Sequence, residues 1–187
     1  MEWTLGQPVE AEIRSDSEDA NPADNEGEGP KQAENDLLKE SPCLQCYNPD
    51  LMDKPRQQIV LVTPVWNDTA RLAVYGVDLA KALAAADLPI CWVIADDGST
   101  QDLPGRLEAM REQFATIFPM VELHYADAHR GKGSVVREAW SLAPEAGWLA
   151  FVDADGSVAA EEMVNLISLA VDAGKSVIAI RKRTATT

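Results

Sequence analysis

Four short runs in this chain, IVLVT (59–63), ICWVIA (90–95), WLAFV (148–152) and SVIAI (176–180), are apolar at nearly every position. A strand with one wet face alternates apolar and polar residues. A strand without alternation buries both faces, the arrangement found inside parallel sheets covered by helices on either side. A fifth segment, VELHYA (121–126), alternates as a half-buried strand does.

Helical periodicity fills the gaps. Residues 68–86 place Leu72, Val74, Tyr75, Leu79, Ala80 and Leu83 at three- and four-residue spacing, and Asp87-Leu-Pro89 ends the segment. Residues 102–117 put Leu107, Met110, Phe114 and Ile117 on one face, with Thr100 or Asp102 as the cap. Gly131-Lys-Gly133 opens a third helix, and a fourth covers about 160–173. The order is βαβαβαβαβ with short links, which predicts a parallel sheet with helices on both faces. Pro64 is read as the residue that closes the first strand.

Residues 1–58 have a different texture. SDSEDANPADNEGEGPKQAEND is acidic, rich in breakers and poor in large apolar residues, so residues 1–56 are expected to form a disordered tail, with a short helix around Glu34–Lys39. Residues 57–187 form the folded domain. The chain carries a net charge of −15, of which −9 falls on residues 1–58, and this disfavours nucleic acid as a partner. No run is long and apolar enough to span a bilayer, and MEWTLGQPVEAEIRSD lacks the basic and apolar regions of a secretory signal. Three cysteines, Cys43, Cys46 and Cys91, are an odd set that argues against a disulfide framework, so a cytoplasmic location is expected. Cys43-Leu-Gln-Cys46 is a lone CxxC with no second pair and reads as two incidental thiols.

In parallel sheets ligands bind beyond the carboxyl ends of the strands. Here the strands end in Thr63-Pro-Val-Trp-Asn-Asp68, Asp96-Asp97-Gly98-Ser99, Asp153-Ala-Asp155-Gly156 and Arg181, placing charged groups along one edge. Asp153 and Asp155 could share a hard cation such as Mg2+ or Mn2+ with substrate phosphates, or simply form a turn. Asp96 and Asp97 could accept hydrogen bonds from a nucleotide, or form a turn and helix cap, with Asp96 holding the loop. Arg130 and Gly131-Lys132-Gly133 could offer a cation and backbone N–H groups to an anion, or be a solvated helix start; the spacing of a P-loop is absent. His124 and His129 read as structural or surface residues.

Taken in order, Pro64-Val-Trp-Asn-Asp68, Ala95-Asp96-Asp97-Gly98-Ser99-Thr100, Arg130-Gly-Lys-Gly133 with Val135 and Arg137, Asp153-Ala-Asp155-Gly156 and a terminal Arg181 resemble a family 2 glycosyltransferase, most of all its dolichyl-phosphate mannosyltransferase-like branch. The resemblance covers about residues 57–183. It implies a GT-A fold, a Rossmann-like nucleotide-diphospho-sugar transferase sheet, here with an incomplete acceptor half because family members continue beyond the equivalent of Thr187. It implies that Pro64, Trp66 and Asp68 line the base and ribose, that Ala95 and Asp97 hold the base, that Asp153, Ala154 and Asp155 contact ribose and metal, and that Arg181 lies near the sugar phosphate. Arg130 and Lys132 are further substrate-side candidates. The helix after Asp155 departs from the family in lacking its S/H-x-P-x-x-I stretch.

The implied reaction is sugar transfer with inversion from a UDP- or GDP-sugar to an acceptor, with Mg2+ or Mn2+ stabilising the departing diphosphate. The branch suggests a polyprenyl phosphate acceptor at the cytoplasmic membrane face, and no residue of this chain is assigned as catalytic base. Two other readings compete. One is a nucleotide-sugar-binding module without turnover; the other is an interaction protein whose acidic tail is the working part.

Overall fold

The computed structural model describes residues 3–5, 57–100 and 104–181. Its central strand is the first apolar run. After a short β1 (Trp3–Leu5), β2 (Ile59–Val65) pairs in parallel with β3 (Ile90–Asp96) on one side and β5 (Trp148–Phe151) on the other. β4 (Val121–Tyr125) extends the sheet beyond β3, giving the order β4-β3-β2-β5. The helices between are α1 (Thr69–Ala85), α2 (Pro104–Ala115), α3 (Lys132–Ser141) and α4 (Ala160–Ala173).

The apolar runs behave as the absence of alternation requires. Every residue of β3 is buried, and β2 is buried at all positions except Pro64. Successive side chains enter two different cores. Ile59 and Leu61 join Leu72, Leu79, Leu83, Leu107, Phe114 and Ile167 under α1, α2 and α4. Val60 and Val62 join Cys91, Val93, Val135, Val136 and Ala139 under α3. On the first side Gly76 lets α1 approach closely, because a Cβ there would lie 2.4 Å from Cζ of Phe114.

The division of helices follows from strand order. Moving from β2 to β3 to β4 steps one way across the sheet, whereas β4 to β5 steps back past β2. Right-handed crossovers in opposite directions put their helices on opposite faces. The reversal lies between β2 and β5, the kind of crevice where open α/β sheets hold ligands.

Three expectations are corrected. β2 runs through Pro64 to Val65; Val62 and Pro64 face the β5 side, where pairing stops at Phe151, so the missing N–H of Pro64 costs no ladder bond. The last apolar run does not join the parallel sheet: β6 (Ala179–Arg181) pairs antiparallel with β1 in a separate two-stranded sheet. Its run leaves Ile178 and Ile180 exposed, and Arg181 therefore does not stand in line with the other strand ends. Third, Cys91 is disulfide-bonded, and an odd count of cysteines still allows one pair. Cys43 and Cys46, the short helix expected around Glu34–Lys39, and all of the expected tail except Trp3–Leu5 lie outside the described residues. Among the described residues no helix is long and apolar enough to cross a membrane.

Candidate functional site

Two polar clusters stand at the carboxyl ends of the strands. The first joins the loop after β2 to the loops after β3 and β4. Asn67 adopts a left-handed backbone conformation, φ 51°, which asparagine tolerates better than most residues. Its N–H donates to Ser99 Oγ (2.9 Å), and its Oδ1 accepts from the N–H of Thr100 (3.1 Å). Asp96 holds this loop: its carboxylate accepts from the N–H and hydroxyl of Ser99.

Asp97, expected to grip a base, is 2% exposed. Its Oδ1 accepts from the N–H of Arg130 (3.0 Å). His129 Nδ1 lies 2.8 Å from its Oδ2 but is also 3.2 Å from the Asp97 carbonyl, and the geometry leaves Oδ2 without a hydrogen bond. The His129 ring stacks on Trp66, centroids 4.1 Å apart and planes 16° from parallel. Asp97 thus fastens the β4–α3 loop, while half-exposed Trp66 and His129 form the surface beside it. Ala95 is fully buried under α3 and reaches this surface only through backbone.

Gly98 makes the fastening possible. Its φ is +65°, and a Cβ would lie 2.4 Å from the His129 nitrogen and 2.5 Å from the Ala128 carbonyl carbon, both backbone atoms. Gly98→Ala is expected to lower stability by roughly 2 kcal/mol or more, combining left-handed strain with displaced backbone. Gly133→Ala meets nothing within 4 Å and sits inside a helix. It is expected to be neutral or to stabilise by about 0.5–1 kcal/mol. Urea unfolding of the two variants against wild type checks both signs.

The second cluster lies in the crevice between β2 and β5. Asp68 caps α1, its Oδ1 accepting from the N–H of Arg71 (3.3 Å) while its Oδ2 pairs with the Arg71 guanidinium. Arg71 Nη1 is 4.0 Å from Asp155 Oδ2. Asp155 Oδ1 accepts from the N–H of Ser157 (2.9 Å), which shapes the turn. From the other face of the sheet, Lys132 at the start of α3 brings its Nζ to 2.5 Å from Asp153 Oδ1 and 5.0 Å above the Phe151 ring. Ala154, between the two aspartates, points into the core and is buried.

Under this turn lies Tyr75, one helical turn beyond Arg71. Its ring would meet a Cβ on Gly156 at 3.3 Å. The residue is 7% exposed, and its hydroxyl is buried without a hydrogen-bond partner. Burial first, then the charges of Asp155 and Asp153, push the phenol well above its ordinary range, so it stays a proton donor.

Two carboxyls of this cluster, Asp68 and Asp155, are favoured in the charged form. Arg71 holds Asp68 below its ordinary 3.8, and hydrogen bonds from Ser157 lower Asp155 in the same way. A carboxyl lowered on folding stabilises the fold above its unfolded value and loses that contribution as pH falls through the lowered one. Asp68→Asn keeps a capping oxygen and removes only the charge. Its melting temperature is expected to lie below wild type at pH 6, with the gap closing below the ordinary value of 3.8. A gap that persists undiminished at pH 2 would contradict this.

A hard divalent ion fits the second cluster. Asp153 and Asp155 supply two partly exposed carboxylates, and the orphaned Tyr75 hydroxyl marks a place for a further oxygen atom. Among the described residues no group of three or more His, Cys, Asp or Glu side chains gathers into a metal cage. The remaining donors would be water or phosphate, as is common for Mg2+.

Of the expected residues, Asp68, Asp153, Asp155 and Lys132 come together in one crevice, and Trp66 and Asp97 form a neighbouring cluster with Arg130 through its backbone. The Arg130 side chain turns away to Glu138 (2.6 Å), which also meets His124 at 3.2 Å. Pro64 is part of β2. Arg71, Tyr75 and His129 were missed. For Arg71 and Tyr75 the spacing from the cap at Asp68 was an available signal; for His129 there was none. A cavity of ≈ 200 Å³ lined by Trp148, Leu149, Phe151, Leu166, Ala170 and Val177 lies along β5 and α4 and shares only Phe151 with the second cluster.

No protein-family model matches the chain, and no curated protein matches it. Solved structures do. S. aureus TarS matches 53% of this chain and 16% of its own at 22% identity and TM-score 0.40. TarS 1–349 matches 63% of this chain and 32% of its own at 21% identity and TM-score 0.45. The mannosyltransferase PcManGT from Pyrobaculum calidifontis, solved in complex with GDP-Man and Mn2+, matches 62% of this chain and 32% of its own at 19% identity and TM-score 0.49. The chain thus spans about a third or less of the length of the structures it resembles.

Proposed function

We propose that residues 57–187 are the donor-binding part of an inverting family 2 glycosyltransferase of GT-A fold, closest in pattern to the dolichyl-phosphate mannosyltransferase-like branch. The substrate is a UDP- or GDP-sugar bound with Mg2+ or Mn2+, and the acceptor is a polyprenyl phosphate. One observation carries the reading: at the reversal of strand order, an acidic turn meets cations from opposite faces of the sheet, with an unpartnered buried hydroxyl beneath it.

The roles follow from position. Trp66 and His129 offer a stacked, half-exposed ring surface for a base, and Asp97 keeps His129 against Trp66 rather than meeting the base itself. This changes the role expected for Asp97 from the resemblance. Asp153 and Asp155 would hold the ion; when bound, it neutralises the charge that builds on the diphosphate as the sugar leaves. Lys132 and Arg71, which face the acidic turn, would pair with phosphate oxygens. Arg181, in the separate small sheet, remains a proposal from the resemblance.

Calorimetry with UDP- and GDP-sugars, with and without Mn2+, tests the reading. Donor binding that requires the ion is the expected result. No heat from any nucleotide sugar at millimolar concentration would sink it.

A further inference from the structure

We propose that Arg71 and Lys132 form a cation latch on the acidic turn: they neutralise Asp155 and Asp153 while no divalent ion is bound, and release them when a diphosphate arrives to take the cations instead. The proposal deepens, and rests on, the nucleotide-sugar reading above.

The two cations come from different helices on opposite faces of the sheet, yet each faces one carboxylate of the same turn. Lys132 Nζ is 2.5 Å from Asp153, and Arg71 is 4.0 Å from Asp155 while paired with Asp68. Three carboxylates face two cations, leaving one negative charge. A divalent ion entering alone would reverse that sign and press against both cations. An ion entering with a diphosphate brings anionic oxygens to which both can turn. Phe151 gives the Lys132 ammonium an aromatic face at 5.0 Å on which to rest during the exchange. Beneath the same turn the Tyr75 hydroxyl is buried without a hydrogen-bond partner, a cost that an oxygen of a bound group would relieve.

Ion and donor should therefore bind cooperatively, with the latch setting the coupling. In the full chain, Lys132→Gln is expected to bind Mn2+ alone about tenfold more tightly than wild type, yet to bind GDP or UDP in saturating Mn2+ about tenfold more weakly, within the usual range of coupling between sites. Arg71→Gln should shift both the same way by less, and Lys132→Arg should restore wild-type behaviour. Electron spin resonance of free Mn2+ reads the first quantity without nucleotide, and calorimetry reads the second. Opposite shifts support the latch; a purely structural lysine would weaken both. Mn2+ affinity that does not rise in Lys132→Gln overturns the latch. Wild-type protein that takes up Mn2+ but neither nucleotide overturns the functional reading instead, so the two failures are distinguishable.

Discussion

Asp155→Asn is expected to weaken Mn2+-dependent binding of a nucleotide sugar by about 100-fold, or about 2.7 kcal/mol, through loss of a charged oxygen donor. The substitution is chosen for what it keeps. Asparagine retains an Oδ1 to accept the Ser157 N–H, so the turn should hold its shape. It loses the negative charge that a divalent ion needs and that Arg71 faces. Asp153→Asn should behave alike, with Lys132 set free as well. Asp68→Asn is expected to have a smaller effect, because that carboxylate caps α1 and is already engaged with Arg71. Calorimetric titration of the three variants gives the ranking. Binding by Asp155→Asn within threefold of wild type would remove the acidic turn from the site.

Trp92→Ala should have the largest effect on stability, about 3–5 kcal/mol. Trp92 is fully buried at the centre of β3, packs on Phe114 with ring centroids 5.2 Å apart, and donates from its indole N–H to Thr63 Oγ1 (2.9 Å). Alanine opens a large cavity and also strands the Thr63 hydroxyl, itself fully buried in β2. Total stabilities of single domains are commonly about 5–15 kcal/mol, so such a loss brings the domain near unfolding at room temperature. Trp92→Phe separates the two causes. It keeps most of the packing and removes the donor, and is expected to cost about 1–3 kcal/mol. Urea denaturation of both variants measures the difference; equal losses would mean the hydrogen bond, not the volume, dominates.

The sheet could be read from the chain because burial on both faces leaves no room for alternation. IVLVT and ICWVIA have no polar stripe to hide, and both became central strands. Helix α4 matches its expected span because three- and four-residue spacing is explicit in the sequence. SVIAI carries the same apolar signal, yet its last residues pair with β1. Composition states that a run wants burial, not which strand will provide it. At the site, the strand-end aspartates were visible because turns after buried strands are short and local. The burial of Asp97 was not, because its partners Arg130 and His129 come from a loop more than thirty residues away. Arg71 and Tyr75 were hidden for a related reason: Arg71 has no local motif to single it out, Tyr75 read as part of the helix's apolar stripe, and only the β5 turn gives either a role.

The strand order has a consequence for synthesis. β2 is made first among the four parallel strands, yet its second neighbour, β5, is the last of the four to emerge from the ribosome. The unit of β2, α1 and β3 can pair early, because its partners are close in sequence. Until Trp148–Phe151 appear, one flank of the buried strand β2 stays open, a ready template for another nascent chain. The acidic crevice needs the same late pairing, since it lies between these two strands. The acidic crevice therefore forms together with the pairing that covers the open flank of β2.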